Sequence, residues 1–404
     1  MFYALTILTR TCIKSASVVG LLLGWFAIFI AGAQPPVREC DQAAIFQRAD
    51  QLIRNKQYNQ ASELLSRSEA CPGRKPLDTF QLGWLYGRAR RFENALKLFE
   101  TVPHDVPDPM THDYAIALSR FELTQYQGAI DVLRPYRASG KADEKAMNQL
   151  AVSYSKLGLY RNAYDVLSEQ THRNPGDLTT YLNLVTVCAE GGDIAKAAEI
   201  ANQARQLFPD SADAAIVLGA AETMLGRLDQ AYVDFSTGAR LAPSRADARF
   251  FLALVDYKQG KFSDAIAVLE AALKEGLADS DLHYLMAECL LKEDSANVEQ
   301  ALKELDCAID LNTKSVAARA LRGKLLLDGR RPKQAVADLE LARQQDPQSR
   351  AALYNLARAY QAEGRTTEAR ALFQQLRSQS ADALNEITDT RLNDALTGKA
   401  GQEK

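Results

Sequence analysis

The stretch LGWLYGRARRFENALKLF, residues 82–99, decides the fold of this 404-residue chain. Leu82, Gly83 and Tyr86 fall at i, i+1 and i+4, one stripe of a helix, and Ala95, Phe99 and Val102 fall at i, i+4 and i+7, one stripe of a second. A turn near Arg90 sets the two stripes face to face. The alanine then returns at Ala61, Ala95, Ala129, Ala163, Ala197, Ala231 and Ala265 in steps of 34 residues, at Ala301 after a step of 36, and at Ala335 and Ala369 in steps of 34 again. The small residue of the first helix recurs beside it at Ala49, Gly83, Ala117, Ala151, Gly219, Ala253, Ala287, Gly323 and Ala357, with Val185 the bulky exception. Two helices approach closely only where side chains are small. Gly83 and Ala95 are therefore expected contact points, with Tyr86 and Phe99 filling the space around them.

The pattern resembles the tetratricopeptide repeat family over roughly residues 41–377. The resemblance rests on the period, on the small-then-large pairs (LG..Y at 82–86, LA..Y at 150–154 and 356–360), on the turn glycines Gly158, Gly192, Gly226 and Gly260, and on the terminal prolines Pro175, Pro209, Pro243 and Pro347. Departures are local. Arg322 stands where an apolar residue precedes Gly323, and two extra residues lengthen the turn in KEDSANVEQA before Ala301. The family implies an all-α protein, an α-solenoid of about ten antiparallel helix pairs in a right-handed superhelix, whose concave groove is lined by the first helices and binds peptides or protein segments. Each pair carries apolar residues on more than one face, so neighbours must stack and the ends need caps. The array is expected over 34–380. Leu384, Ile387, Leu392 and Leu396, at helical spacing before Gly398, are expected to form a capping helix within 381–404, followed by the polar tail KAGQEK. Arg391 occupies the small-residue place there, so the period ends.

The first stretch differs in kind. Arg10 and Lys14 precede an uncharged run from Ser15 to Val37 with the apolar heart VVGLLLGWFAIFIAGA. Positive charge stays on the cytoplasmic side, so residues 1–33 are expected to be an export signal, or an N-terminal membrane anchor if uncleaved. Ala31 and Ala33 supply an A-x-A cleavage site before Gln34. The expected localisation is periplasmic or secreted, with an inner-membrane anchor as the alternative, and membrane contact is expected only through this segment if it remains. The whole chain, 47% hydrophobic and 25% charged, is globular in composition. Its formal charge moves from −3 to −5 without residues 1–33, which hold two basic and no acidic residues. A mildly acidic surface is a poor match for phosphate, so nucleic acid is excluded as a partner.

Chemical motifs are missing from the sequence. The four histidines, His104, His112, His172 and His283, form no H-E-x-x-H, and there is no phosphate-cradling glycine loop, no G-x-S-x-G and no pair of C-x-x-C motifs. No catalytic residue, cofactor or metal is expected, and His283 reads as a packed or solvated side chain. About 25 residues follow the array, too few for a catalytic domain. Among the cysteines past residue 33, Cys40 precedes the first helix and Cys71 follows the second. In an antiparallel pair those points share one end, so a Cys40–Cys71 disulfide is expected to staple the first repeat. Cys188 replaces a packed aromatic and is expected to be a buried thiol. No bond is expected between Cys289 and Cys307.

Candidate binding residues follow from the family's groove-facing positions on the first helices. They are the aromatics Phe46, Phe80, Trp84, Tyr114 and Phe121 toward one end, Phe250, Tyr257 and Tyr284 further on, and Tyr354 near the other end, with the more polar Lys145, Asn148, Asn183 and Thr186 between. Two uses are open: the aromatics pack between repeats, or they anchor a partner segment. The lysine and asparagine set with which some family members grip a terminal carboxylate is not reproduced in consecutive repeats. The function implied is a non-enzymatic scaffold of the bacterial cell envelope. The alternative is an accessory handling an envelope or exported polysaccharide or lipid polymer, with aromatics stacked on sugar rings.

Overall fold

The structure, a computed structural model, describes residues 40–376. The expected export segment and the expected terminal helix lie outside the described residues. All regular structure among those residues is α-helical, and the helices follow one another in tandem. They fall into two compact units divided between Arg74 and Lys75.

The first unit contains the pair α1 (Gln42–Arg54) and α2 (Tyr58–Glu69). Asp41 caps α1 by accepting from the Ala44 amide at 3.1 Å, which satisfies one of the donors that a helix start leaves free. Ile45, Ala49, Leu52 and Ile53 of α1 and Ala61 and Leu65 of α2 form its buried seam.

In the second unit each helix packs on the next. The order is α3 (Pro76–Arg88), α4 (Phe92–Thr101), α5 (Pro109–Glu122), α6 (Tyr126–Ala138), α7 (Glu144–Lys156), α8 (Tyr160–Arg173), α9 (Leu178–Glu190), α10 (Ile194–Leu207) and α11 (Ala212–Met224). It continues with α12 (Leu228–Leu241), α13 (Ala246–Lys258), α14 (Phe262–Lys274), α15 (Ser280–Glu293), α16 (Val298–Leu311), α17 (Val316–Asp328), α18 (Pro332–Gln345), α19 (Arg350–Ala362) and α20 (Thr366–Leu376). First helices also touch the next first helix, as α5 with α7 and α13 with α15. This is the stacking of an α-solenoid, and one apolar core runs from Ala117 to Leu376.

The recurring alanines, from Ala61 to Ala369, are all buried. Their glycine counterparts show why the position must be small: a Cβ on Gly83 would sit 2.8 Å from the Phe99 ring, and one on Gly219 would sit 2.9 Å from the Phe235 ring. The turns within the helix pairs are built alike, except the lengthened one between α15 and α16. Arg90 has φ +58°, and its amide and that of Arg91 bond back to Gly87 and Tyr86 at 2.9 Å, which ends α3 in a left-handed residue. Glycine fills this place at Gly158, Gly192, Gly226 and Gly260, whereas Lys56, Arg90, Thr124 and Arg330 adopt it with a side chain, at roughly 1 kcal/mol each.

The departure at Arg322 has a physical reason. Its guanidinium meets the Asp338 carboxylate of α18 with both oxygens, at 2.7 and 2.6 Å, and reaches Asp306 of α16 at 2.6 Å. A fork of this kind matches a carboxylate and holds α17 to both neighbours.

Two other carboxyls sit on poorer terms, Asp256 buried and Asp234 half-buried. Burial pushes Asp234 up to about 6, against the pull of Arg205 4.0 Å away. Asp256, also raised by burial first and by Asp264, has one carboxylate oxygen without a partner. Between the unfolded value near 4 and the folded value, the native chain holds protons that the unfolded chain releases, so stability falls as pH rises through that window. Asp234→Asn is expected to raise stability at pH 7 by up to about 3 kcal/mol and to flatten the dependence between pH 4 and 6. Urea melts at both ends of the window check this, and parallel profiles in variant and parent would refute it.

Candidate interaction surface

The expected groove residues sit on the first helices, as the period requires, but the structure sorts them into different roles. Phe46 lies on α1 in the first unit and is half-buried there. On α3, Phe80 is buried and its ring meets Phe99 at 5.0 Å and Trp84 at 6.4 Å, nearly parallel to the indole. Trp84 is 38% exposed. An exposed indole laid on a core ring has little freedom left to lose on binding.

Phe121 contacts Tyr126 at 5.2 Å and Tyr257 contacts Phe262 at 5.5 Å. Both pairs bridge a first helix to the start of its partner, so these half-buried rings serve the turns of their hairpins. Tyr114 is half-buried, and burial, followed by Asp143, pushes its hydroxyl above the usual value. Phe250 and Tyr284 correct the expectation most clearly. Both are buried in the core, where Phe250 meets Phe251 edge-on at 5.6 Å and Tyr284 donates to Glu288 at 3.0 Å. The aromatic cluster expected around them is packing, not surface. At the far end Tyr354 is 50% exposed, with Phe373 at 6.1 Å and the Arg358 guanidinium 6.0 Å from its ring centre.

The polar middle is brought together. Asn183 of α9 donates its amide to the Asn148 side chain of α7 at 3.4 Å, and Lys145 stands exposed on the same helix as Asn148. Thr186 turns its hydroxyl to the Leu182 carbonyl at 3.0 Å. An open cleft of about 440 Å³, lined by Ser155, Lys156, Tyr160, Ala189 and Glu190, lies at one end of α7 and α9. It includes none of the expected residues. Ser155 donates to Glu190 there, linking the two helix ends.

In the first unit Cys40 and Cys71 have their sulfurs at bonding distance and their Cα atoms 5.6 Å apart. Cys188 and Cys289 are free and buried. Burial pushes Cys188 up to about 11 and raises Cys289 as well, so neither offers a thiolate near neutral pH.

One cluster is invisible in the sequence pattern. His104 lies in the loop between α4 and α5, His112 and Asp113 lie on α5, and each offers a ligand atom within 4.8 Å of the others. No repeat position marks the loop, and the two histidines are eight positions apart with a loop between them, so neither helical spacing nor a known metal motif finds them.

The family model described as Tetratricopeptide repeat matches residues 224–289, 256–325 and 326–387. A second model of the same description matches 182–246. Together they span about half of the chain. The BBSome complex member BBS4 of Bos taurus is 28% identical over 140 residues, 35% of this chain and 27% of that protein. The Anaphase-promoting complex subunit 7 of Arabidopsis thaliana is 30% identical over 145 residues, 35% of this chain and 25% of that protein. The chain thus matches about a quarter of the length of these curated relatives. A solved tetratricopeptide repeat protein from Parabacteroides merdae shares 15% identity with a TM-score of 0.49, covering 62% of this chain and 98% of that one.

Proposed function

The chain belongs to the tetratricopeptide repeat family, and from that premise we propose that it is a non-enzymatic scaffold of about ten repeats, exported to the bacterial envelope, which holds a protein or peptide segment against its first helices. Chains of this family mediate protein–protein interaction. The two curated relatives are, by name, members of complexes. In this proposal residues 1–33 direct export or anchor the chain, 34–380 form the array and 381–404 close it. Amino-terminal sequencing of the mature protein tests the first part: a start at Gln34 supports a signal, and a full-length chain in the membrane fraction supports the anchor.

The observation that carries the binding role is Trp84, exposed yet backed by the buried ring of Phe80. Large aromatic surface of this kind supplies hot spots at interfaces. Trp84→Ala is expected to weaken capture of the partner drawn from envelope extract by about 2 kcal/mol, roughly thirtyfold, with helical content and melting temperature nearly unchanged. A drop in melting temperature with intact affinity would assign Trp84 to packing. Exposed Trp84 and Tyr354 are also residue types that stack on sugar rings. Retention on envelope polysaccharide, with no stoichiometric protein partner, would favour the polymer-handling alternative.

A further inference from the structure

The loop from Val102 to Asp108 returns the chain from α4 to α5 and lays His104 over the start of α5. His104 Nε2 is 3.2 Å from Asp113 Oδ2, and His112 Nδ1 is 3.1 Å from Asp113 Oδ1. The other nitrogen of His112, Nε2, is 3.0 Å from the Phe99 carbonyl. A carbonyl can only accept, so Nε2 carries the hydrogen, and a neutral ring then turns its Nδ1 lone pair toward a carboxylate that also only accepts. Such a contact is unfavourable unless a cation lies between the two groups. The cation is either an added proton or a metal ion.

We propose that this cluster is a binding site for one zinc-type divalent ion, with His104 Nε2, His112 Nδ1 and the Asp113 carboxylate as ligands. The surroundings have the features such sites need. A ligating histidine commonly donates its second N–H to a backbone carbonyl, which fixes tautomer and ring orientation, and the Phe99 carbonyl does this for His112. The Tyr136 hydroxyl lies 2.9 Å from Asp113 Oδ2 and orients the carboxylate. Metal bonds of 2.0–2.1 Å in a tetrahedron place ligand atoms roughly 3.3 Å apart; His112 Nδ1 stands 3.1 Å from Asp113 Oδ1 and His104 Nε2 3.2 Å from Oδ2, each histidine at its own oxygen of one carboxylate, and the three ligand atoms lie within 4.8 Å of one another. His104, whose side chain is 60% exposed, can swing in to share the oxygen that His112 faces, while the His112 side chain is held at 6% exposure. A fourth position remains for water. Two imidazoles and one carboxylate suit zinc, cobalt, nickel or copper, whereas magnesium and calcium take oxygen ligands. The ion would tie the α4–α5 loop to α5 and so pin one hairpin to the next.

Tag-free full-length chain, titrated with Zn²⁺ against a chromogenic chelator, is expected to take up one ion. Its melting temperature should rise with Zn²⁺ and not with Mg²⁺. His104→Ala changes an exposed side chain and is expected to weaken uptake at least tenfold without altering the apo melting temperature. Asp113→Asn, which keeps a partner for Tyr136, should weaken it as well, and His283→Ala should leave it unchanged. Absence of stoichiometric uptake, or equal uptake by parent and His104→Ala, would overturn the site.

Discussion

Truncating Phe235 to alanine is expected to cost about 3–5 kcal/mol, the largest effect of any single change considered for this protein. The ring is fully buried on α12, faces the bare backbone of Gly219 on α11, and stacks on Phe251 of α13 at 5.0 Å with 16° between the planes. One side chain thus closes a helix pair and joins that pair to the next. Its loss leaves a cavity on both seams, and a backbone packed on neighbours to either side collapses into it only in part. In a solenoid each pair contacts mainly its neighbours, so the damage should divide the array into blocks that unfold separately. Urea melts should broaden or split, and hydrogen exchange should rise first in α11 to α13. A shift below 1 kcal/mol would show that the ring is not a keystone of the core.

The same seam gives an internal control. Gly219→Ala drives a methyl into the Phe235 ring and is expected to cost about 1–3 kcal/mol. Combined with Phe235→Leu, which vacates that space, it should cost clearly less than the sum of the two changes, because the residues share one contact.

These packing points were legible in the sequence because a period of 34 residues places them without knowledge of the structure. The alanine at Ala231 and the glycine at Gly219 are buried where the stripe puts them. Exposure of the aromatics was not legible in the same way. Phe80, Phe250, Tyr284 and Tyr354 occupy equivalent places in their repeats, yet three are buried and Tyr354 is half exposed. Helical spacing tells which face a residue takes. How deep it lies depends on contact between successive first helices, such as α13 with α15, and on side chains far away in sequence. Arg322 shows the same limit: it breaks the local pattern, and its reason, Asp338, is 16 residues away on the next helix. The His104, His112 and Asp113 cluster was least legible, since its geometry depends on a loop that no repeat constrains.

Opening the Cys40–Cys71 link is expected to destabilise the first unit by roughly 3–4 kcal/mol on the loop-entropy model. The link spans 31 residues and encloses both α1 and α2. Helices of 13 and 12 residues are marginal on their own in water, and the seam between them is short. A constraint on the unfolded chain therefore matters more here than in the long core of the second unit. Reduction should increase proteolysis within 40–74 well before it affects α11 or α13, and Cys71→Ser should reproduce the reduced pattern without reductant. Peptide mapping of the native chain under non-reducing conditions should recover the two cysteines in one linked species. Such a link persists in an oxidising compartment and is rare in a reducing one, so the map also bears on export. Alkylation of Cys40 before any reduction, together with equal protease sensitivity of the reduced and untreated chain, would remove both the staple and the support it lends to an envelope location.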